Sequence, residues 1–119
     1  LDILSLFKFF VNSHESGNLK IGLDRLSIRE LCFVIDTPVQ LSELKYAQQI
    51  RIKNIKDLER LYKIIPYDQQ RINSETYQWP HGQYRLIDIG LKRGGICMDQ
   101  SYFAAHAAKS QGVPSILFI

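Results

Sequence analysis

The sequence is poor in the residues that build cross-linked or metal-bound domains. Its 119 residues include only two cysteines, Cys32 and Cys97, which lie far apart in the chain. Two cysteines are too few for a disulfide framework, and neither belongs to a Cys-x-x-Cys pair of the kind that binds zinc. We therefore expect no metal and no cofactor. Two free thiols are favoured over a single Cys32–Cys97 bridge, which stays open, and the sequence assigns no compartment.

Long apolar runs are also missing. The stretch Leu1–Val11 is apolar, but Asp2 and Lys8 interrupt it, and it falls well short of the roughly 20 residues that span a bilayer. It has neither the basic leader nor the small-residue cleavage site of a signal peptide. We predict an amphipathic helix packed on the domain and no membrane span. Because the first residue is Leu, we expect the natural N-terminus to lie upstream.

Charge of one sign is not concentrated anywhere in the chain. The net charge is +3, and the Lys and Arg residues from Arg51 to Arg71 are spread among acids and do not form a stripe. A nucleic-acid-binding protein would present a basic stripe or patch, so we predict no nucleic-acid partner. A hydrophobic content of 45% with 23% charged residues is typical of a globular domain. Repeats and linkers are absent, which favours one compact unit.

The first 66 residues show helical periodicity and are interpreted as an N-terminal helical extension. We predict a helix over Leu1–Val11, with Leu4, Phe7 and Val11 at helical spacing, followed by a polar loop over Asn12–Asn18. Arg25–Ile35 favours a second helix, although a strand over its last four residues stays open because the run is short.

Two more helices are predicted before Pro66. Ser42 can cap one that runs to about Ile50, with Leu44, Ala47 and Ile50 on its inner edge. Asn54 can cap the next, and Pro66 stops it. The expected inner face of this helix is formed by Ile55, Leu58, Leu61, Tyr62 and Ile65.

Residues 67–119 are interpreted as the start of a second structural part. Tyr67–Gln83 is polar and aromatic and predicts a structured surface loop, and Arg85–Lys92 predicts a short helix or turn. A helix should begin near Cys97 and run to about Gln111, where Gly112 supplies a left-handed residue and Pro114 prevents continuation. Its small-residue face would allow a neighbour to approach closely. This face comprises Ser101, Ala104, Ala105 and Ala108, and a buried strand is predicted over Ser115–Ile119.

Cys97 is the residue in this segment that points to chemistry. A helix N-terminus offers unpaired N–H groups and a partial positive charge, and reactive cysteines in such settings have pKa values of about 3.5–7.5. Gly94 and Gly95 fit this role because they let another backbone or a substrate approach closely. The alternative is a buried, inert cysteine after a turn.

The pattern around Cys97 resembles the nucleophile segment of the transglutaminase-like superfamily. In that family a Gly-x-Cys-x-Asp/Glu run opens a helix that ends in Gly-Ile/Val-Pro. The matching positions here are Gly95, Cys97, Asp99, Gly112, Val113 and Pro114, with Ser101 in place of the usual Ala. A bacterial subgroup also carries an upstream stretch that is similar to Tyr77, Trp79, Pro80, Gly82 and Tyr84. The resemblance covers about residues 67–119. One departure is Ser115, since many members have Arg soon after the Gly-Ile-Pro.

The resemblance implies a papain-like α+β fold, in which the cysteine helix packs against an antiparallel sheet. It also implies acyl transfer: a Cys thiolate attacks a glutamine or amide carbonyl of a protein or peptide substrate, and the acyl group passes to an amine or to water. A His base and an orienting Asp or Asn follow the next strand in the family. The chain ends inside that strand, so we expect it to be inactive alone and to need further chain to cover residues 115–119.

The residues present fill the other catalytic roles only in part. His106 lies nine residues after Cys97, about 13.5 Å along the helix, and cannot reach the sulfur. His14 is expected to be solvated, and His81 to lie in the aromatic loop. Asp99 is expected to bond first-turn amides. The Cys97 N–H is one candidate oxyanion donor, and Trp79 or Gln83 could supply a second, although Trp79 can also be a packing anchor.

Two other hypotheses stay open at this point. One is a non-catalytic domain of the same fold that binds peptide or protein, with a groove near Trp79. The other is an unrelated helical interaction domain in which Cys97 is buried.

Overall fold

Helices make up more than half of the residues that the computed structural model describes, which are 2–50, 52–68, 85–90 and 94–117. This part of the chain forms a mainly helical, compact domain. In the described ranges, no helix combines the length and apolar character needed to cross a membrane. The described ranges contain five helices of at least four residues: α1 (Ile3–Glu15), α2 (Ile28–Ile35), α3 (Leu41–Gln48), α4 (Arg60–Lys63) and α5 (Cys97–Ser110). They also contain 3₁₀ turns at Leu23–Arg25 and Ile55–Asp57 and one helical turn at Leu86–Asp88.

Helix α5 is the centre of the domain. It packs against α2, α3 and α4, and its Phe103 and Ala107 are fully buried. The same core cluster contains Val34 of α2, Leu44 of α3 and Leu61 of α4. Residues before and after position 66 therefore share one hydrophobic core.

Helix α1 is longer than its apolar periodicity predicts. It continues through Asn12–Glu15, which we expected to be loop, because Ser13 and His14 have partners in the fold: Ser13 Oγ accepts a 3.0 Å bond from Gln48 and His14 Nδ1 accepts a 3.2 Å bond from the Leu23 N–H. Phe9, Phe10 and Ser13 are its buried residues.

The apolar residues that show the helical spacing of α1 are not the ones that it buries. Leu4 and Phe7 are 55% and 63% exposed. The helical spacing was correct, but it could not say which apolar stripe the rest of the fold would cover.

Helix α2 resolves the open choice between helix and strand. The Ser27 hydroxyl accepts a bond from the Glu30 N–H at 3.2 Å, and Glu30 accepts one from the Ser27 N–H at 2.9 Å. This capping box satisfies donors at the helix start. The bond from the Ser27 N–H lowers the pKa of Glu30.

Helix α3 begins before its predicted cap. Gln40, not Ser42, is the N-cap, and the Glu43 carboxylate accepts a 3.1 Å bond from the Gln40 N–H. The predicted inner edge is confirmed at Leu44 and Ala47, which are fully buried, and Ile50 packs partly buried against the core.

The continuous helix predicted over residues 55–65 is wrong. Asn54 Oδ1 does cap the start, accepting a 2.9 Å bond from the Lys56 N–H, but a 3₁₀ turn follows and α4 holds only four residues. The N–H of Leu61 bonds the Leu58 carbonyl at 3.0 Å, an i to i+3 contact. In such tighter winding, residues three apart align, which brings Leu58 and the fully buried Leu61 to one side.

The end of α5 matches its prediction. Gly112 has a φ of +81°, the Val113 N–H bonds the Ala108 carbonyl at 3.0 Å, and the Gly112 N–H bonds the Lys109 carbonyl at 3.0 Å. These two bonds form the Schellman arrangement that ends many helices.

The strand predicted after α5 is wrong for residues 115–117, and Phe118 and Ile119 lie outside the described residues. Ile116 is 53% exposed, and the Ser115 N–H bonds the Phe33 carbonyl of α2 at 3.2 Å instead of a strand neighbour. Over the described ranges the only β pairing is an isolated parallel bridge between Tyr67 and Gly95. A strand requires a paired neighbour, so the expected α+β character is not present in this part of the chain.

Candidate functional site at the start of α5

Cys97 is the first residue of α5, at the position that the glycine pattern predicts. Ile96, the N-cap, is extended, with φ −88° and ψ 178°, and the chain turns into the helix directly after it. The first N–H groups of a helix have no intrahelical partner and point towards this end. The Cys97 side chain is exposed, so its sulfur is open to solvent. The hypothesis that Cys97 is buried is therefore wrong.

The two glycines before Cys97 allow a close backbone contact. Gly94 has a φ of +68°, and a Cβ there would lie 2.1 Å from the Pro66 carbonyl oxygen. The Gly95 N–H donates to that oxygen at 2.9 Å, and the Asp68 N–H donates to the Gly95 carbonyl at 2.8 Å. The backbone that approaches the two glycines is thus the chain's own segment 66–68. Its hydrogen bonds with Gly95 fix the position of the residues that lead into α5.

Asp99 sits beneath the entrance to the helix. It is fully buried, and its Oδ2 accepts a 2.9 Å bond from the Ile96 N–H. A Cβ on Gly95 would lie 2.6 Å from the same oxygen, so the glycine makes room for the carboxylate. Asp99 therefore holds the first turn of α5. An ionised carboxylate at this place also opposes a thiolate two residues earlier.

His106 belongs to the core of the domain. Its ring is 7% exposed, its Nδ1 lies 2.9 Å from the Thr37 hydroxyl, and it packs against the Tyr102 ring with centroids 4.4 Å apart. Burial, with the nearby Lys109 charge, lowers the pKa of His106 to about 4. Its partners are structural, and it lies about 13.5 Å along the helix from Cys97.

The other histidines do not supply a base within the described part of the chain. His14, which we expected to be solvated, is partly buried and accepts the Leu23 N–H bond at 3.2 Å. His81 lies outside the described residues, as do Trp79 and Gln83 of the predicted oxyanion site and the rest of the motif at Tyr77, Pro80, Gly82 and Tyr84. No group of metal-ligating side chains is present in the described ranges.

The predicted small-residue face of α5 lines a groove of about 450 Å³. Ser101 and Ala104 lie on its floor, and Tyr62 and Pro114 belong to its walls. Ser101 follows Cys97 by four residues and therefore lies on the same side of the helix, one turn on. The groove approaches the Cys97 end of α5.

Polar side chains on α5 and at its C-terminal end bond to the carbonyl groups at the ends of other helices, a role that was missed from the sequence. Gln100 donates to the Ile65 carbonyl at 2.8 Å, Lys109 to the Phe33 carbonyl at 2.6 Å, and Gln111 to the Ile50 carbonyl at 3.1 Å. These carbonyls lie in or just after the last turns of α4, α2 and α3, where helices leave acceptors unsatisfied. Polar residues on a helix that is buried on several sides must find such partners, which was the available signal.

No protein-family model, curated protein or solved structure matches the chain. The residues around Cys97 and their geometry are therefore the features of the chain that point to a function.

Proposed function

We propose that this chain carries the cysteine nucleophile of a transglutaminase-like enzyme with a papain-like fold, acting on the amide groups of protein or peptide substrates. The observation that carries the proposal is the exposed thiol of Cys97 on the first residue of a 14-residue helix. The resemblance of the segment from Gly95 to Pro114 to the family's nucleophile segment supports the same chemistry.

The proposed reaction is acyl transfer through a thioester. The Cys97 thiolate attacks a carboxamide carbon, and the negative charge moves to the carbonyl oxygen, where N–H donors stabilise it. The C–N bond then breaks, and the leaving nitrogen takes up a proton and departs as ammonia or an amine. Water or a second amine attacks the thioester, which gives hydrolysis or a new amide and restores the thiol.

This chemistry needs a general base that His106 and His14 do not provide. His106 is bonded to Thr37 in the core, and His14 accepts a backbone bond at the end of α1. The proposal therefore assigns the base and its orienting carboxylate or amide to groups other than these two. We expect Cys97 of this chain to be alkylated readily but not to turn over substrate.

A second candidate function is a non-catalytic domain of the same family that binds peptide or protein. The observation that favours it is the groove along the small-residue face of α5, because Cys97 is not among the residues that line it. In this alternative the groove along Ser101 and Ala104 would hold an extended segment without bond cleavage.

Alkylation by iodoacetamide separates the two functions. Cys97 and Cys32 are both exposed in the single chain, so at low protein concentration, where the chain is monomeric, a difference in rate reports their surroundings and not their access. A helix N-terminus stabilises a nearby negative charge by about 0.3–1 kcal/mol, and Cys97 lies at such an end whereas Cys32 lies within α2. We expect Cys97 to react about two to three times faster at neutral pH, as measured by peptide mass spectrometry on the Cys32→Ser and Cys97→Ser variants.

The Asp99→Asn variant completes this experiment. An amide oxygen can still accept the Ile96 N–H bond, whereas the opposing charge is gone. We expect a further rise in the Cys97 rate and no change at Cys32. Equal and slow labelling of both thiols in the unsubstituted chain would contradict the proposal that Cys97 is a nucleophile and would favour the non-catalytic binding domain.

A further inference from the structure

An apolar face remains uncovered on the side of the domain formed by α1 and α2. Ile3 and Ile28 are each 83% exposed, Phe7 is 63% exposed, Leu4 55% and Ile35 47%. Ile28 and Ile35 are seven residues apart on α2, and Ile3 and Phe7 are four apart on α1, so each pair shares a side of its helix. We call these five residues the α1–α2 face.

A groove of about 320 Å³ runs through the α1–α2 face. Its lining is entirely apolar: besides Ile3, Phe7 and Ile35 it consists of Leu6, Phe10, Val11, Leu23 and Leu31. A water-filled apolar groove of this size is costly, because its surface stays in contact with solvent.

The exposed area is large for a monomer of this size. With about 200 Å² for a fully exposed side chain, the five residues present on the order of 600 Å² of apolar surface. This is the upper end of the range for the largest apolar patch on a typical monomer, about 300–600 Å², and such patches are often functional; a standard interface buries about 800 Å² on each partner. The patch and its rim together are of the size that a dimer requires.

The shape of the face is self-complementary. It carries Ile28, which is 83% exposed and does not line the groove, and a groove that can receive the Ile28 side chain of a second copy. In a two-fold dimer the same patch meets itself, so a single patch must supply both the ridge and the hole. The α1–α2 face has both.

The charges that flank the face balance. Next to the apolar residues of the face and its groove in the chain, or on the adjoining 3₁₀ turn, are four exposed acids and three exposed bases: Asp2, Asp24, Glu30, Asp36, Lys8, Arg25 and Arg29. Asp36 is already paired with Lys109, so the charges of the other six balance. An anionic membrane surface would call for an excess of Lys and Arg. Two copies of a neutral rim do not repel, and opposite charges can pair across a two-fold axis.

We propose that the α1–α2 face binds the same face of a second copy of this chain, forming a symmetric dimer. This inference is independent of the proposed function, because it uses no residue of the Cys97 site. The Cys97 end of α5 remains available in each protomer.

The mass of the chain in solution tests the proposal. We expect light scattering after gel filtration to give a mass that rises with concentration towards twice 13.8 kDa. Ile28→Glu and Ile3→Glu should each keep the circular dichroism spectrum, because both side chains are largely in solvent, and should lower the dimer affinity at least tenfold. Ile64→Glu, at a 37% exposed position on the α4 side, is the matched control and should leave the mass unchanged.

Cys32 provides a second measurement. It is exposed on α2, four residues after Ile28, and so borders the face. We expect its alkylation to slow as the chain concentration rises, while that of Cys97 does not change. A monomer that persists to about 1 mM overturns the proposal, and so does a dimer that Ile28→Glu and Ile3→Glu leave intact.

Discussion

At the scale of single residues, buried polar side chains are gathered on α5, and each is bonded. Asp99 accepts a hydrogen bond from the Ile96 N–H, Gln100 donates one to the Ile65 carbonyl, and His106 shares one with the Thr37 hydroxyl. A buried polar group without a partner costs about 1–3 kcal/mol, so these bonds are a condition for the helix to occupy the centre of the domain. The helix could not be replaced by a simple apolar one without leaving carbonyls unsatisfied.

His106 makes the stability depend on pH. Its pKa falls from 6.5 to about 4 on folding, so between these values the unfolded chain binds a proton that the folded chain does not. The contribution of neutral His106 to the free energy of unfolding is therefore fully present above about pH 6.5 and is lost as the pH falls towards 4. We expect a loss of about 2 kcal/mol between pH 7 and pH 5 in urea unfolding.

The charges beside His106 set the control for this measurement. Lys109 lowers its pKa and Asp36 opposes that effect, while the lowered pKa of Glu30 affects stability only below about 4.5. The His106→Gln variant should have a flatter profile between pH 7 and pH 5, whatever its stability at pH 7. If the variant loses stability as steeply as the unsubstituted chain, another group causes the slope.

At the scale of the elements, the helix ends are joined by backbone contacts that only small residues permit. Gly94 combines a positive φ with a close approach to the Pro66 carbonyl, and the adjoining bonds at Gly95 fix the start of α5. The position of Cys97 thus depends on two glycines and on a segment about 30 residues earlier in the chain.

Gly94→Ala should destabilise the domain more than a change of backbone preference alone. Gly17 supplies the matched control: it has a φ of +72°, but nothing lies within 4 Å of a Cβ there. We expect a loss of about 1 kcal/mol for Gly17→Ala and about 3 kcal/mol for Gly94→Ala in urea unfolding. If the two variants lose the same unfolding free energy, the backbone near Pro66 can move to accept the added methyl group without destabilising the domain.

At the scale of the whole molecule, the buried ammonium group of Lys109 on α5 bonds to the end of α2 and to the segment after α5. The Lys109 ammonium, in a side chain that is 5% exposed, donates to the Phe33 carbonyl at 2.6 Å and to the Ser115 carbonyl at 2.8 Å, and it is paired with Asp36. It connects the end of α2 with the segment after α5. Burial of such a charge is tolerated because all three donors of the ammonium are used.

Lys109→Met is therefore expected to be costly. It removes a partner from two carbonyls and one carboxylate at once, and we expect a loss of about 3 kcal/mol in urea unfolding. Lys63→Met is the control, since Lys63 pairs with Glu59 at 3.2 Å on the surface with 68% of its side chain exposed, and it should cost less than about 1 kcal/mol. If both variants lose a similar amount of unfolding free energy, Lys109 does not connect the two segments in this way.

The sequence by itself determined the local features. The glycine pair, Gly112 and Pro114 predicted the bounds of α5 correctly, because these residues restrict the backbone whatever surrounds them. Cys97 was recognised as a candidate from its place after Gly95, and its exposure agrees with that position.

Only the tertiary structure decided which apolar stripe is covered and where an element stops. Phe9 and Phe10 are buried while Leu4 and Phe7 are not, and Ser115 bonds Phe33 where a strand neighbour was expected. The partners of His106 and Lys109 lie about 70 residues away in the chain. Periodicity and caps act within a few residues, whereas burial and pairing depend on groups that meet only when the chain has folded.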